Sequence, residues 1–155
     1  MSLQFSLRVI TQTRKKLLEI VDSLSVESLN AIPKGFNNNI AWNFGHVIVT
    51  LQILCYEFAN QKTSIPTDVL SKYRRGTIPE DFIDSEEMSY LKSILFTSFD
   101  DLEKDRNAGL WDNYNVLTTS MGISLNNIDD VIDYTGSHDS LHLGYIQALK
   151  RAIGQ

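Results

Sequence analysis

Apolar residues recur every three or four positions in four long segments of this chain, which is the spacing of an amphipathic α-helix. The charged residues of the first segment are expected largely off its apolar stripe, namely Arg14, Lys15, Lys16 and Glu19. The stripe itself consists of Leu3, Leu7, Ile10, Leu17, Leu18, Val21 and Leu24. The pattern predicts a helix that buries one face.

A break rich in proline, glycine and asparagine at residues 33–39 separates the first helix from the second. We expect Asn39 to cap the second helix, because its side chain can accept a hydrogen bond from an unpaired N–H group of the first turn. The helical pattern then continues to about Asn60. This segment is apolar over much of its surface, which predicts a central or interfacial position.

The third and fourth helices have their own start and stop signals. Asp84 precedes the third helix and Glu87 follows three residues later, which is the spacing of a capping box. The third pattern fades at residues 107–109, which include a glycine. The fourth helix is predicted from near Asn127 to about Ile153. Its inward stripe contains Ile132, Tyr134, His138, His142, Tyr145, Ile146 and Leu149.

The connections after the second and third helices are long. Residues 61–84 are expected to form a loop with a short helix after Thr67, and residues 110–126 an irregular crossing with a little β character. Four amphipathic helices without strand alternation predict an all-α four-helix bundle with long crossover connections. The length fits a single domain that spans residues 1–155.

Composition restricts the class of protein. The net charge of −5 argues against binding to the phosphates of nucleic acids. The one basic run, residues 72–75, is interpreted as the solvated surface of a loop or short helix. Cys55 is the only cysteine, which excludes an internal disulfide and fits a reducing compartment. No stretch approaches the roughly 20 apolar residues that span a bilayer, so we predict a cytoplasmic protein with neither nucleic-acid nor membrane partners.

The chain has three histidines, and His138 and His142 are four residues apart in the fourth helix. This spacing places both imidazoles on one helix face, where their nitrogens can converge on one ion. His46 lies near the start of the second helix, and suitable packing would add its ring to the pair. The residues predict a three-nitrogen site for a divalent metal with an open coordination position. Three hydrogen-bonded core histidines without a metal are the alternative.

Several neighbours bear on this candidate site. Gly45 and Gly144 stand in helices beside the histidines, where glycine costs about 1 kcal/mol relative to alanine. They indicate close helix approach or room for a ligand. Asn43 and Tyr134 lie about one turn from the histidines and are candidates to orient them or to line a pocket. Asp139 is expected either to orient an imidazole or to lie at the solvated surface.

Two segments resemble the signatures of the DinB/YfiT-like superfamily. The first is residues 24–46, with its asparagine-rich turn and the sequence WNFGH at residues 42–46. The second is the sequence HDSLHLGYI at residues 138–146, followed by Gly154. The resemblance covers nearly the whole chain in helix order and length.

The resemblance implies a four-helix bundle of up-down-down-up topology, often dimeric. It also implies a divalent metal, usually zinc or nickel, held by three histidines, and those roles fall on His46, His138 and His142. Members of the family often have arginine or another polar residue where Leu143 stands, and glutamine where Tyr145 stands. These departures leave the chemistry of the pocket open.

Characterised relatives include S-transferases and isomerases that use low-molecular-weight bacterial thiols. The resemblance therefore implies a metal-dependent thiol S-transferase or hydrolase that acts on a small molecule as a homodimer. An open metal position suits either reaction, because it can lower the pKa of a thiol or of water. No catalytic residue is assigned from the sequence. The alternative function is a non-catalytic dimeric bundle with a structural metal or a stress-linked binding role.

Overall fold

Four long helices form the framework of the computed structural model, which describes residues 2–155. Regular structure elsewhere in the described chain is short. In chain order the elements are α1 (Leu3–Asp22), α2 (Val26–Asn30), α3 (Ile40–Gln52), a π-helical turn (Ile53–Glu57), α4 (Thr67–Tyr73), α5 (Ser85–Thr97), α6 (Leu102–Asn107), β1 (Leu117–Thr118), β2 (Ser124–Leu125) and α7 (Ile128–Ala152). The two strands pair antiparallel as a hairpin, which accounts for the β character expected between the third and fourth long helices.

The long helices occupy the four corners of a bundle. The helix α7 packs against α1 and α3, and α5 packs against the same two helices from the other side. Consecutive long helices α1 and α3 therefore lie at opposite corners, as do α5 and α7. The connection from α5 to α7 therefore has to cross the bundle, which requires a long segment. The prediction of an all-α four-helix bundle with long crossovers is confirmed. Within residues 2–155, no helix combines the length and apolar character required to cross a bilayer.

Side-chain caps start the helices where the sequence places them. Each cap accepts a hydrogen bond from a backbone N–H in the first turn, at 2.8–3.0 Å. These caps are Asn39 for α3, Asp84 for α5 and Asn127 for α7. The capping box is completed only in part, because the Glu87 carboxylate instead accepts from Lys72 and from the Tyr73 hydroxyl. Glu87 thus ties α4 to α5.

The helix α3 occupies the centre of the bundle, as its apolar composition predicts. Every residue in it is buried except Thr50. The predicted helix end near Asn60 is correct only for the helical path as a whole, because the α-helix ends at Gln52 and a π-helical turn continues to Glu57. Asn60 adopts a left-handed conformation with φ of 56° and marks the end of the turn.

Donors from outside the helix explain the π-helical turn. The Leu54 carbonyl accepts a hydrogen bond from the Tyr114 hydroxyl at 2.7 Å. The next carbonyl, that of Cys55, accepts from the indole N–H of Trp111 at 2.6 Å. In a continuing α-helix, these two carbonyls would accept from backbone N–H groups four residues later. Because side chains satisfy them instead, the backbone can adopt the wider π-helical turn. Cys55 is fully buried, and burial raises the pKa of its thiol to about 12.

The third predicted helix is divided in two by residues 98–101. The carbonyl of Leu95 accepts a hydrogen bond from Arg14 Nη1 at 2.7 Å. The carbonyl of Ser98 accepts from Gln52 Nε2 at 2.6 Å. Side chains of other helices thus satisfy backbone groups at the end of α5, and the chain turns before α6 begins. The expectation of one continuous helix to residues 107–109 is wrong for this tertiary reason.

The placement of Arg14 off the buried stripe is also wrong. Its side chain is 0% exposed. Arg14 follows Ile10 by four residues and precedes Leu17 by three, so its position belongs to the apolar stripe. Ile10 and Leu17 are likewise completely buried.

The two glycines beside the histidines differ in their surroundings. A Cβ atom added at Gly45 would lie 2.4 Å from the Tyr73 ring, so the absence of a side chain allows that ring to pack on α3. Gly144 is exposed, and an added Cβ would meet no atom within 4 Å. The expectation of close packing is therefore correct for Gly45. At Gly144, which nothing in the described chain approaches closely, it is wrong.

A matched pair of substitutions tests this difference. Gly45→Ala is expected to lower the free energy of unfolding by about 1–3 kcal/mol, because Tyr73 has to shift. Gly144→Ala is expected to raise it by up to about 1 kcal/mol, because alanine favours an exposed helix. Urea unfolding of the metal-free variants measures both. Equal effects of the two substitutions would contradict the packing of Tyr73 against α3.

Candidate metal centre

The three histidines lie together between α3 and α7. The His46 ring centroid lies 5.2 Å from that of His138 and 4.9 Å from that of His142. The rings of His138 and His142 are 4.5 Å apart. The structure thus brings together the residues predicted as ligands, while their binding of a metal stays a prediction. In residues 2–155, no carboxylate or thiol joins this group.

The donor set fits a divalent ion. One potential ligand atom from each histidine lies within 4.8 Å of the other two. In a tetrahedral zinc site with bonds of about 2.1 Å, neighbouring nitrogens are about 3.4 Å apart. Small rotations of the rings close that difference. Imidazole nitrogen suits zinc and nickel better than it suits magnesium or calcium.

Two of the rings are already oriented by hydrogen bonds. The Nδ1 atom of His46 lies 2.7 Å from the Tyr73 carbonyl oxygen, and Nδ1 of His142 lies 2.9 Å from Oδ1 of Asn43. Both oxygens accept, so each Nδ1 carries the proton and each Nε2 is unprotonated, the form that can bind a metal. Asn43 is itself held, because its amide donates to the Asn39 carbonyl at 2.7 Å.

Burial keeps these two histidines neutral. Desolvation lowers the pKa of His46 to about 4, although the hydrogen bond to the Tyr73 carbonyl partly opposes it. Desolvation also lowers the pKa of His142 to about 3, and repulsion from the other two histidines adds to the effect. Neutral imidazole is the form that binds a metal ion, so both rings are ready for coordination at neutral pH.

His138 differs because its buried Nδ1 atom has no hydrogen-bond partner within the described chain. The nearest candidate is Oδ1 of Asp139, which lies 3.7 Å away and also has no partner there. Asp139 is completely buried, so the solvated-surface alternative for this residue is wrong. If the distance from His138 Nδ1 to Asp139 Oδ1 shortened by about 0.8 Å, the two atoms would form a hydrogen bond. Each of the three histidines would then donate from Nδ1 to an oxygen.

A buried arginine holds Asp139 in place. Arg14 donates from Nε to Oδ2 of Asp139 at 2.9 Å. Its other nitrogens donate to the carbonyls of Leu95 and Val47, at 2.7 and 3.1 Å, and to the Ser98 hydroxyl at 2.9 Å. Arg14 of α1 thus contacts segments from the other three corners of the bundle. Arg14 and Asp139 carry opposite charges, so together they add no net charge next to the histidines.

Trp42 supports His46 by stacking on its ring. The indole and imidazole rings are stacked, with centroids 4.7 Å apart and planes 11° apart. The indole N–H donates to the Thr77 hydroxyl at 3.0 Å. The Thr50 hydroxyl lies 3.3 Å from Nε2 of His46. Stacking and hydrogen bonds therefore fix the His46 ring on several sides.

The histidines open into a pocket of about 440 Å³, a size typical of small-molecule sites. Residues 117–121 of the hairpin form one wall, and Phe58 after the π-helical turn contributes to another. Arg74 and Arg75 line it beside the end of α4. Tyr134 also lines it, in agreement with its expected place near His138. No aspartate or glutamate is among the lining residues.

A comparison with protein-family models matches residues 10–146 to the DinB superfamily. The chain belongs to the DinB superfamily. The matched residues include all three histidines and the long crossover connections. A comparison with curated proteins found no match.

The departures from the DinB pattern lie outside the pocket lining. Leu143 packs against the hydrophobic core, and the Tyr145 ring meets Phe36 edge-on with centroids 5.9 Å apart. Neither residue is among those that line the pocket. Apart from Tyr134 and the two histidines of α7, the polar groups of the pocket therefore come from other elements.

The basic run at residues 72–75 supplies part of that chemistry. Its interpretation as the solvated surface of a loop or short helix holds for Arg75, which is exposed, and is wrong for Tyr73, which is completely buried. Arg74 and Arg75 also line the pocket. Sequence spacing gave no signal for this placement, because it depends on how α4 docks on α3. For Arg14 a signal existed, since its position coincides with the buried stripe of α1.

The buried ion pair can be tested by a double-substitution cycle. Arg14→Leu and Asp139→Leu are each expected to lower the free energy of unfolding by about 3–5 kcal/mol, because each leaves an unpaired buried charge. The double variant is expected to lose less than the sum of the two. Urea denaturation of the metal-free protein measures these values.

An exposed pair provides the control for this cycle. Lys16 and Glu19 lie 2.7 Å apart, with side chains more than 60% exposed. Replacing both is expected to change the free energy of unfolding by less than about 1 kcal/mol. If the Arg14 and Asp139 substitutions change the free energy of unfolding as little as this control does, or if their effects simply add in the double variant, the two residues do not form a coupled ion pair.

The stability of the metal-free protein is expected to depend on pH below neutrality. The folded pKa values of His46 and His142 are about 4 and about 3, below the ordinary value of 6.5. The unfolded chain therefore takes up protons first as pH falls through 6.5, and folding stability declines. The expected loss between pH 7 and pH 5 is roughly 1–2 kcal/mol per histidine. Urea midpoints at each pH measure it, and His142→Ala should flatten the dependence.

Proposed function

We propose that this DinB-superfamily chain is a divalent-metal-dependent enzyme of the thiol S-transferase type. The observation that carries the proposal is the position of three imidazoles beside an open pocket of about 440 Å³. Two of them have Nδ1 bound to an oxygen acceptor, which leaves Nε2 unprotonated and able to bind a metal. His46, His138 and His142 would hold the ion.

A bound divalent ion supplies a Lewis acid that lowers the pKa of a thiol and so provides a thiolate at neutral pH. Three neutral imidazoles leave the positive charge of the site intact, which favours an anionic sulfur. The apolar side chains of Ile53, Leu54 and Leu117 line the pocket and exclude water around it. The Thr50 and Tyr134 hydroxyls provide polar contacts for a substrate near the histidines.

The absence of acidic residues from the pocket lining favours thiol transfer over hydrolysis. Hydrolysis requires a water proton to be accepted, commonly by a carboxylate that acts as a general base. The pocket lining contains no aspartate or glutamate. A low-molecular-weight thiol has an ordinary pKa of about 8.5, so it can release its proton to solvent when its sulfur binds the ion, and the resulting thiolate then needs no base to attack. Hydrolysis is thus the second candidate, and the assay below separates it from transfer.

A structural metal is the other alternative from the sequence. Structural zinc sites are closed by four protein ligands, whereas catalytic sites keep one position for water or substrate. The candidate ligands described here are three histidines, and a pocket adjoins them. This arrangement supports the catalytic proposal. The homodimer, the cytoplasmic location, the single domain and the small-molecule partners stay predictions.

Metal content tests the first part of the proposal. Tag-free protein is expected to carry about one zinc or nickel ion per chain, and His142→Ala to lose it, because one of three ligands is missing. Gln147→Ala, an exposed change on the same helix, is the control that should retain the ion. Plasma mass spectrometry measures the content, and circular dichroism checks that the variants fold. No metal, and no stabilisation when zinc or nickel is added, would overturn the proposal.

The reaction is tested on the metal-loaded protein. We expect metal-dependent consumption of a small thiol together with a chlorodinitrobenzene electrophile, and little hydrolysis of a nitrophenyl ester. The His142→Ala variant should fall to the background rate, while Gln147→Ala should match the unchanged protein. Ester hydrolysis without thiol transfer would favour the second candidate. Bound metal with neither reaction would favour the structural alternative.

A further inference from the structure

We infer that Arg74 and Arg75 form a binding site for the oxyanion group, carboxylate or phosphate, of the molecule that enters the histidine pocket. Both arginines line the same pocket as His46, His138 and His142. The proposed function is needed only for the statement that the reacting end of this molecule lies at the histidines. The oxyanion site itself depends on the arginines.

The charge of the pocket opposes the charge of the protein. The chain has 19 acidic and 14 basic residues, Arg and Lys, and a net charge of −5. The pocket lining nevertheless includes two arginines and no acidic residue, and within residues 2–155 only Arg74 is paired, with Glu57 outside the lining. A concave, partly apolar surface with charge of one sign concentrates ligands of the opposite sign. The pocket is therefore suited to an anion on a protein that otherwise repels anions.

The two arginines have donors left for a ligand. Arg75 is exposed, and the described contacts include no ion pair or hydrogen bond of its side chain. Arg74 contacts Glu57 through one nitrogen, at 2.7 Å, with both side chains about 40% exposed. An arginine has five N–H donors in a fork that matches carboxylate and phosphate. One exposed contact to Glu57 thus leaves most of the Arg74 fork available.

The turn that carries the arginines is anchored to the histidine site. The Thr77 hydroxyl lies 2.9 Å from the Arg74 carbonyl, and it accepts a hydrogen bond from the Trp42 indole at 3.0 Å. Trp42 stacks on His46, and Tyr73, the residue before Arg74, accepts from His46 through its carbonyl. The arginines and the His46 ring are therefore parts of one connected unit. Such preorganisation lowers the cost of binding a ligand at both ends.

Calorimetric titration with a matched set of ligands tests the oxyanion site. Hexanoate and hexyl phosphate carry the two anions, and hexanamide is the neutral analogue. Each is titrated into zinc-loaded protein and into protein freed of metal by chelation. At least one anion is expected to bind about tenfold more tightly than hexanamide, because charge-assisted hydrogen bonds are the stronger kind. Comparison of the two anions distinguishes a carboxylate ligand from a phosphate ligand.

Arginine variants assign the effect to the proposed residues. Arg75→Gln is expected to remove most of the roughly tenfold anion preference, and the double variant with Arg74→Gln to remove the remainder. Arg151→Gln is the control, because Arg151 is also exposed but lies outside the pocket lining. It removes the same charge and should bind like the unchanged protein. Added salt should weaken anion binding to the unchanged protein and to Arg151→Gln.

The outcomes separate this inference from the proposed function. Loss of the anion preference in Arg75→Gln but not in Arg151→Gln supports the oxyanion site, even if the protein binds no metal. The oxyanion site is overturned if Arg75→Gln and Arg151→Gln bind the anions equally well. It is also overturned if neither the zinc-loaded nor the metal-free protein prefers an anion over hexanamide. In that case a normal metal content and thiol-transfer activity would leave the proposed function intact.

Discussion

The burial of the Arg14 guanidinium is the constraint on which the rest of the structure depends. A charged group without exposure to water requires a partner of opposite charge and an acceptor for nearly every N–H. Asp139 provides the charge, and the carbonyls of Leu95 and Val47 and the Ser98 hydroxyl provide further acceptors. These partners come from the other three corners of the bundle. Their positions are therefore fixed relative to α1.

The same constraint reaches the histidines. Asp139 directly follows His138 and lies at the level of the candidate metal centre. Because Arg14 neutralises this carboxylate, the layer below the histidines has no net charge. His46 and His142 can then be buried as neutral imidazoles, which is the state that binds metal. The ion pair of Arg14 and Asp139 therefore both holds the helices together and positions the residue next to His138.

The pocket owes its shape to the least regular parts of the chain. The π-helical turn after α3 and the hairpin between α6 and α7 contribute lining residues. Turns of this kind often accompany functional sites, because they present side chains that a regular helix would direct elsewhere. The arginines at residues 74–75 come from the short α4 crossover. In this DinB-superfamily chain, the long helices supply the histidines and the crossovers supply the pocket around them.

The sequence by itself determined the four helices, the caps at Asn39, Asp84 and Asn127, and the histidines worth testing, because these follow from local spacing and local hydrogen bonding. Only the tertiary structure decided that the third helix breaks at residues 98–101, that the charge of Arg14 is buried, and that the arginines at 74–75 line the pocket. Those features depend on donors, acceptors and walls from distant segments. Periodicity places Arg14 on the buried stripe of α1, but it carries no information about the groups that compensate its charge, the break in the third helix or the walls of the pocket.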